Sequence, residues 1–117
     1  MVRGQGCSSW WGRQGWKWEP GQLLTLGEGC YSDGTIIHEF IHAIGFAHEQ
    51  NRFDRDLYVN IKTENIKESW LHAFNNLDKL KWLTFGTEYD GKSIMHYPAY
   101  SDAGKKSWLP TMTSKVC

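Results

Sequence analysis

The sequence predicts a small α+β domain, and three observations support this class. Two short segments, residues 7–11 and the apolar residues 23–26, are separated by glycine-rich turns and are typical of paired strands. A helix with broad apolar coverage is predicted to begin near Thr35. Farther along, an extended stretch at 58–61 precedes a segment at 64–77 whose apolar residues recur at helical spacing. Together these segments predict one domain that combines a small sheet with two helices.

The dominant motif of the chain lies in the first predicted helix. Residues 38–48 read HEFIHAIGFAH, which matches the pattern H-E-x-x-H-x-x-G-x-x-H. Because residues four apart share one face of a helix, His38 and His42 can point at one ion, and imidazole is a good zinc ligand. Glu39 is rotated by about 100° around the helix axis. Its carboxylate is therefore expected beside the metal, where it can take a proton from an activated water.

Gly45 and His48 complete the pattern. Glycine adopts positive φ without strain, so Gly45 can end the helix and turn the chain sharply. That turn would bring His48 to the ion as a third ligand. Three protein ligands leave a fourth position open for water, which is typical of a catalytic zinc site and not of a closed structural one. A lone pair of histidines four apart would be weaker evidence, because such pairs are common on surfaces and in cores.

The first predicted helix also has a cap and a strongly apolar composition. Either Ser32 or Asp33 is a candidate for its N-cap. Its apolar residues are numerous enough to predict a helix buried in the middle of a domain: Ile36, Ile37, Phe40, Ile41 and Ile44. Histidine and glutamate side chains in such a helix would be costly to bury unless they bound something, which favours the metal hypothesis.

A second segment, SIMHY at 93–97, supplies a methionine and a tyrosine downstream of the zinc pattern. The thioether of Met95 could form an apolar floor under the imidazoles, and the phenol of Tyr97 could reach the metal as a donor or a weak ligand. Core packing for Met95 and a buried aromatic role for Tyr97 are the alternatives. His96 is interpreted as a packing residue or an outer residue that orients groups near the metal, and not as a fourth ligand.

These two segments are accompanied by further motifs, and together they resemble the astacin family of metzincin metalloendopeptidases. The resemblance covers about residues 7–97. The motifs that carry it are Gly45-Phe46, His48-Glu49, Arg52, Asp54-Arg55-Asp56, Tyr58-Val59-Asn60-Ile61, Gly86-Thr87-Glu88-Tyr89-Asp90 and Ser93-Ile94-Met95-His96-Tyr97.

The resemblance implies a metzincin-like catalytic domain, of which residues 1–117 would form a part. Its fold would have a small mixed sheet with the active-site helix above the zinc cleft, and a helix and Met-turn below it. One Zn²⁺ per chain would be held by three histidine ligands, with Glu39 as general base and acid and Tyr97 as a switchable fifth ligand. The implied ligands are His38, His42 and His48.

Three further residues are implied as structural support for the site. Gly45 would provide the turn, and Met95 the Met-turn. In the family, the glutamate at the position of Glu49 contacts the freed amino terminus of the mature enzyme. The alternative from the residues alone is a pair between Glu49 and Arg52, three positions later. Asp54-Arg55-Asp56 is interpreted as a structural charged turn.

The chain has three cysteines, so one is left over if the compartment is oxidising. Cys7 and Cys30 bracket a glycine-rich, aromatic stretch that is interpreted as a hairpin. The family has a disulfide in this region, so the resemblance implies a bond between these two cysteines. Cys117 is not assigned a partner, and the alternative for it is an unpaired thiol.

Composition excludes some classes of partner. The 13 basic and 13 acidic residues give a net charge of +0, so there is no electrostatic case for binding nucleic acid. No run of eighteen apolar residues predicts a membrane span, and the first residues lack the apolar region of a signal peptide. Secretion is therefore expected only from the resemblance and from the two paired cysteines. The oligomeric state is left open.

The sequence thus predicts a zinc-dependent endopeptidase that hydrolyses peptide bonds in proteins or peptides. The alternative is a truncated, catalytically inactive domain that binds zinc or peptides. A purely structural zinc site is less favoured, because the pattern supplies three ligands where such sites have four, and because Glu39 is placed as a base.

Overall fold

The computed structural model describes residues 6–15 and 21–115, so Cys117 lies outside the described residues. The chain divides into two compact units, Met1–Ala47 and His48–Cys117. Each unit combines helical segments with a two-stranded antiparallel sheet, which confirms the predicted α+β class. Among the described residues, no helix is both long and apolar enough to span a membrane.

The first unit begins with a β-hairpin. Strand β1 (Cys7–Ser9) pairs with strand β2 (Leu24–Leu26), and Cys7 lies opposite Leu26. Both predicted strands are present but shorter than expected, because the chain turns at Gly12, where φ is +71° and the amide donates to the carbonyl of His42 at 2.8 Å. A disulfide between Cys7 and Cys30, with Cα atoms 5.7 Å apart, confirms the predicted bond.

Helix α1 (Asp33–Ala43) follows the hairpin and has a defined cap at each end. Ser32 is the N-cap, because its hydroxyl oxygen accepts from the amide of Thr35 at 3.2 Å. At the other end Gly45 adopts φ of +114°. Its amide donates to the carbonyl of His42, and the next amide, that of Phe46, donates to Ile41. This is a Schellman motif, which satisfies two carbonyls that the last turn leaves without intrahelical donors.

Helix α1 packs against the hairpin through one of its faces. Ile36 and Ala43 pack against a buried cluster formed by Leu24, Leu26 and Cys30. The expected burial in the middle of a domain does not extend along the whole helix and its C-cap. Glu39 and His42 are buried, whereas Ile37 is 51% exposed, Phe40 49% and Ile44 72%.

Loss of the disulfide should destabilise the first unit. The bond joins residues 23 positions apart, and closing a loop of this size reduces the entropy of the unfolded chain by an amount worth about 3 kcal/mol. We expect the double variant Cys7→Ser, Cys30→Ser to unfold at lower guanidinium concentration than the wild type. A reductant should shift the wild type to the same midpoint and leave the double variant unchanged. A wild-type midpoint that is insensitive to reductant would contradict this expectation.

The second unit contains strand β3 (Val59–Ile61) and strand β4 (Met112–Ser114), which are antiparallel with Ile61 opposite Met112. Strand β3 lies in the predicted extended stretch, whereas β4 lies in a region without a recognisable pattern. The core of this unit is a cluster of four buried residues: Ile66, Phe74, Ala103 and Met112. Partly buried residues pack against it, among them Ile61, Tyr97 and Ala99.

The helical segment predicted over 64–77 is present as two short 3₁₀ helices, Thr63–Asn65 and Glu68–Phe74. They are separated at Ile66, which is extended (φ −94°, ψ 137°) and forms an isolated antiparallel bridge with Gly104. Ile66 is only 1% exposed, so its burial in the core outweighs the local helical pattern.

Candidate metal centre

Three histidines lie close enough together to hold one metal ion. His38 and His42 come from helix α1, and His48 follows the turn at Gly45. One ligand atom from each lies within 4.8 Å of the others, so the three imidazole donors converge on one point. The rings of His38 and His42 meet edge to face, with centroids 4.6 Å apart. The predicted ligands are therefore brought together.

The tautomer of His42 follows from its hydrogen bond. Nδ1 lies 2.7 Å from the carbonyl oxygen of Phe46, and a carbonyl can only accept, so Nδ1 carries the proton. In the neutral ring the lone pair that a metal would bind is then on Nε2, and the carbonyl fixes the orientation of the ring. Burial lowers the pKa of His42, and the hydrogen bond to Phe46 opposes that shift. Burial thus favours the neutral form that binds metals.

Glu39 is a buried carboxylic acid on the same helix. The residue is 5% exposed, and its Oε2 has no hydrogen-bond partner within the described part of the chain. Burial raises its pKa, and the nearby His38 partly opposes this by favouring the ionised form. A carboxylate with an unsatisfied buried oxygen is costly unless another group compensates it. A cation and a reactant water held at the neighbouring histidines would provide that compensation.

These residues fit a zinc ion by their chemistry. Three imidazoles are the ligand set of one class of catalytic zinc site, and none of the described carboxylates or cysteines joins the group as a fourth ligand. Glu39 lies next to the first ligand in sequence and is buried, so its carboxyl is shielded from bulk water. The three imidazole donors and the unsatisfied carboxylate oxygen of Glu39 are therefore both consistent with a bound zinc ion.

Tyr97 and Met95 belong to the second unit. The ring of Tyr97 contacts the ring of His48, with centroids 4.5 Å apart, and also meets Phe74 at 5.8 Å. Met95 is 5% exposed and lies in a tight turn, in which the amide of His96 donates to the carbonyl of Ser93 at 2.9 Å. A floor of Met95 beneath the ligands stays a prediction, as do the roles of Glu39, Tyr97 and Gly45 in support of the reaction.

Glu49 takes part in an ion pair with Arg52. Its Oε1 accepts from Arg52 Nη1 at 3.0 Å and from the amide of Asp90 at 2.9 Å. Arg52 also makes a two-pronged contact with Asp54, from Nε at 2.9 Å and from Nη2 at 2.8 Å. The pair between Glu49 and Arg52 that the spacing allowed is therefore formed. A contact of Glu49 with the freed amino terminus of a mature enzyme stays a prediction.

Sequence reasoning did not identify Gln50 as a site residue. Its side chain is fully buried and its Oε1 accepts from the amide of Tyr97 at 3.0 Å. In the sequence, only its closeness to His48 could have pointed to Gln50. Its bond to a backbone amide 47 positions away depends on the tertiary fold. The sequence favours His96 as a packing residue or as one that orients groups near the metal. In the structure its Nδ1 lies 2.6 Å from the carbonyl oxygen of Tyr97, and its Nε2 lies 2.6 Å from the hydroxyl of Tyr89.

Comparison with known proteins places this centre in a family. The family model described as Astacin, a family of peptidases, matches residues 1–117. Meprin A subunit alpha of Mus musculus is 43% identical over 95% of this chain, which spans 14% of that protein. Zinc metalloproteinase nas-7 of Caenorhabditis elegans is 43% identical over 81% of the chain, which spans 24% of it.

A solved structure extends the comparison from sequence to fold. High choriolytic enzyme 1, a hatching enzyme zinc-protease from Oryzias latipes, matches with a TM-score of 0.86 and 39% identity. The match covers 97% of this chain and 54% of that one, so the chain spans less than two thirds of each of these relatives. The chain therefore belongs to the astacin family of zinc metalloproteases, and His38, His42 and His48 form a group that could hold the zinc ion.

Proposed function

We propose that this chain carries the catalytic centre of a zinc endopeptidase that cleaves peptide bonds in proteins or peptides. The observation that carries the proposal is the convergence of three histidine ligand atoms within 4.8 Å beside the buried carboxyl of Glu39. When bound, zinc polarises the scissile carbonyl and lowers the pKa of a water molecule at its open position.

Glu39 acts as the proton carrier. Its carboxylate takes a proton from the attacking water and returns it to the nitrogen of the leaving amine, so that one group serves as base and then as acid. The burial of Glu39 supports this role, because it limits exchange of the proton with bulk water between the two transfers.

Tyr97 is the candidate donor to the negative charge that develops on the scissile carbonyl oxygen. Its ring contacts His48, and a phenol is a hydrogen-bond donor that can stabilise an oxyanion. Gly45 and Met95 support the site, the first by turning the chain toward His48 and the second from its tight buried turn.

The disulfide bears on the location of the protein, and the relatives bear on its substrate class. A bond between Cys7 and Cys30 persists in an oxidising compartment, so we propose a secreted or extracellular location. The three relatives named above are all described as meprin, metalloproteinase or hatching protease, so the substrate class proposed here is protein or peptide.

Metal analysis and a proteolysis assay test this function together. We expect about one zinc per purified chain and cleavage of casein that a chelator abolishes and added zinc restores. His48→Ala should lose zinc and cleavage, whereas the exposed His72→Ala is the matched control and should keep both. Zinc without cleavage would favour the alternative of an inactive zinc-binding or peptide-binding domain. Absence of zinc from the wild type would overturn the proposed endopeptidase and leave only a peptide-binding domain without metal.

A further inference from the structure

The backbone of Tyr97 is held on both sides by side chains. Its amide donates to Gln50 Oε1 at 3.0 Å, and its carbonyl oxygen lies 2.6 Å from His96 Nδ1. Backbone groups outside regular strands and helices are more often satisfied by other backbone groups or by water. Here two side chains fix both polar groups of the one residue proposed to stabilise the oxyanion.

Gln50 is a rigid anchor for this contact. It is 0% exposed and lies in the 3₁₀ helix Glu49–Asn51, two residues after His48. Its own carbonyl accepts from Arg55 Nη1 at 2.8 Å, and its amide Nε2 is 3.5 Å from Asn51 Oδ1. The side chain therefore has little freedom to move, and the position of its Oε1 is set by the segment that carries the third zinc ligand.

A second bond ties the same two segments together. The amide of Glu49 donates to the carbonyl of Met95 at 2.9 Å. With the bond from the amide of Tyr97 to Gln50, residues 49–50 therefore meet residues 95–97 at two points on either side of His96. The ring contact between Tyr97 and His48 lies in the same region. Both bonds therefore connect the segment that carries His48 to the segment that carries Tyr97.

His96 completes the hold on the other side of Tyr97. Because Nδ1 faces a carbonyl oxygen it must donate, so in the neutral ring Nε2 accepts from the hydroxyl of Tyr89. Tyr89 is itself fixed, since its ring stacks on Tyr58 with centroids 4.7 Å apart at 5°, and the guanidinium of Arg52 lies over it at 5.6 Å.

We infer that Gln50 is a positioning residue of the active centre, which sets the phenol of Tyr97 against His48 through its bond to the Tyr97 amide. This inference rests on the proposed function, in which Tyr97 acts on the oxyanion. The effect is geometric, since Gln50 acts through the backbone of Tyr97 and not on the reacting atoms. A misplacement of about 1 Å can cost about 100-fold in rate, so the loss of one bond is measurable.

The primary variant is Gln50→Met, which keeps the length of the side chain and removes the acceptor. We expect kcat for casein or a peptide to fall about 10- to 100-fold, with KM changed by less than about threefold and zinc content unchanged. Gln50→Glu retains an acceptor oxygen at the same distance along the side chain, and it should recover most of the lost kcat. Asn65→Leu is the matched control, since it removes an amide that bonds to the Pro110 carbonyl at 2.9 Å.

Two readouts separate positioning from a general structural role. In the zinc-free protein, hydrogen exchange of the Tyr97 amide should become faster in Gln50→Met and stay slow in Asn65→Leu, a result that requires no turnover. In a Tyr97→Phe background, Gln50→Met should have little further effect on kcat, because both changes act through the same phenol.

The outcomes are decisive in either direction. Unchanged exchange of the Tyr97 amide in Gln50→Met, or full additivity with Tyr97→Phe, would overturn the inference. If the wild type binds zinc but cleaves nothing, the proposed function fails while the exchange measurement still decides whether Gln50 holds Tyr97. If Gln50→Met does not fold, Gln50→Glu against Gln50→Asn supplies the comparison, since Asn is too short to place an acceptor at the Tyr97 amide.

Discussion

Glu39→Gln should abolish proteolysis and leave zinc bound. The amide has the shape of the carboxylate but cannot accept a proton at neutral pH, so the proposed transfer from water to leaving amine is lost. General acid–base catalysis contributes about 10²- to 10⁴-fold to a rate, and we expect a fall in kcat of this order. Cleavage of casein, measured with zinc content on the same samples, is the test.

Unfolding does not explain the expected loss. Burial raises the pKa of Glu39, which means that the folded protein disfavours the ionised carboxylate relative to the unfolded chain. A neutral side chain at this position removes that penalty, so the zinc-free variant should unfold at the same or a higher denaturant concentration. Glu28→Gln, at an exposed glutamate of the same unit, is the matched control and should cleave normally. Loss of zinc together with activity in Glu39→Gln would show that the carboxylate has a different role.

The parts of this site that sequence reasoning recovered are those set by near neighbours. Ser32 caps helix α1 through a bond to an amide three residues away, and Gly45 ends it by adopting a positive φ. The separation of His38 and His42 fixes them on one face because the helix repeats every 3.6 residues. Each of these depends on fewer than a dozen residues of sequence, so the local pattern was sufficient.

The parts it missed depend on contacts distant in the chain. Strand β4 forms because Met112 pairs with Ile61 and is buried in the core, although its own segment has no strand-like pattern. Ile66 is extended because it bridges Gly104, which divides a segment with helical periodicity into two 3₁₀ helices. Gln50 acquires its partner only when residue 97 is folded beside it. Periodicity carries no information on such pairs.

The second large effect is expected at Arg52, which joins two segments of the second unit. Its guanidinium bonds to the carboxylates of Glu49 and Asp54, and it also donates to the carbonyls of Thr87 and Glu88 at 3.1 Å each. The side chains of Arg52, Glu49 and Asp54 are 12%, 18% and 21% exposed, so the charges are partly shielded from water. A single cation therefore stabilises the segment after His48 and the loop at 87–88.

Arg52→Met should lower the free energy of unfolding by about 3 kcal/mol, because two partly buried carboxylates and two carbonyls lose their donor. Arg52→Lys keeps the charge but cannot reproduce the planar, two-pronged contact with Asp54. Its free energy of unfolding should therefore lie between those of the wild type and Arg52→Met. Guanidinium unfolding of all three proteins checks the order. Arg13→Met, at an exposed arginine of the first unit, is the control and should be within about 0.5 kcal/mol of the wild type.

The pH dependence of this loss identifies its cause. The hydrogen bonds from Arg52 lower the pKa of Asp54, while burial opposes the shift, so the folded protein holds the ionised form more tightly than the unfolded chain does. The stabilisation is complete above the ordinary aspartate pKa of about 3.9 and is lost as pH falls through the lower folded value. The difference in free energy of unfolding between wild type and Arg52→Met should therefore be constant near neutrality and shrink below about pH 4. A difference that persists unchanged in acid would mean that packing of the arginine stem, and not its pairing with carboxylates, holds these segments together.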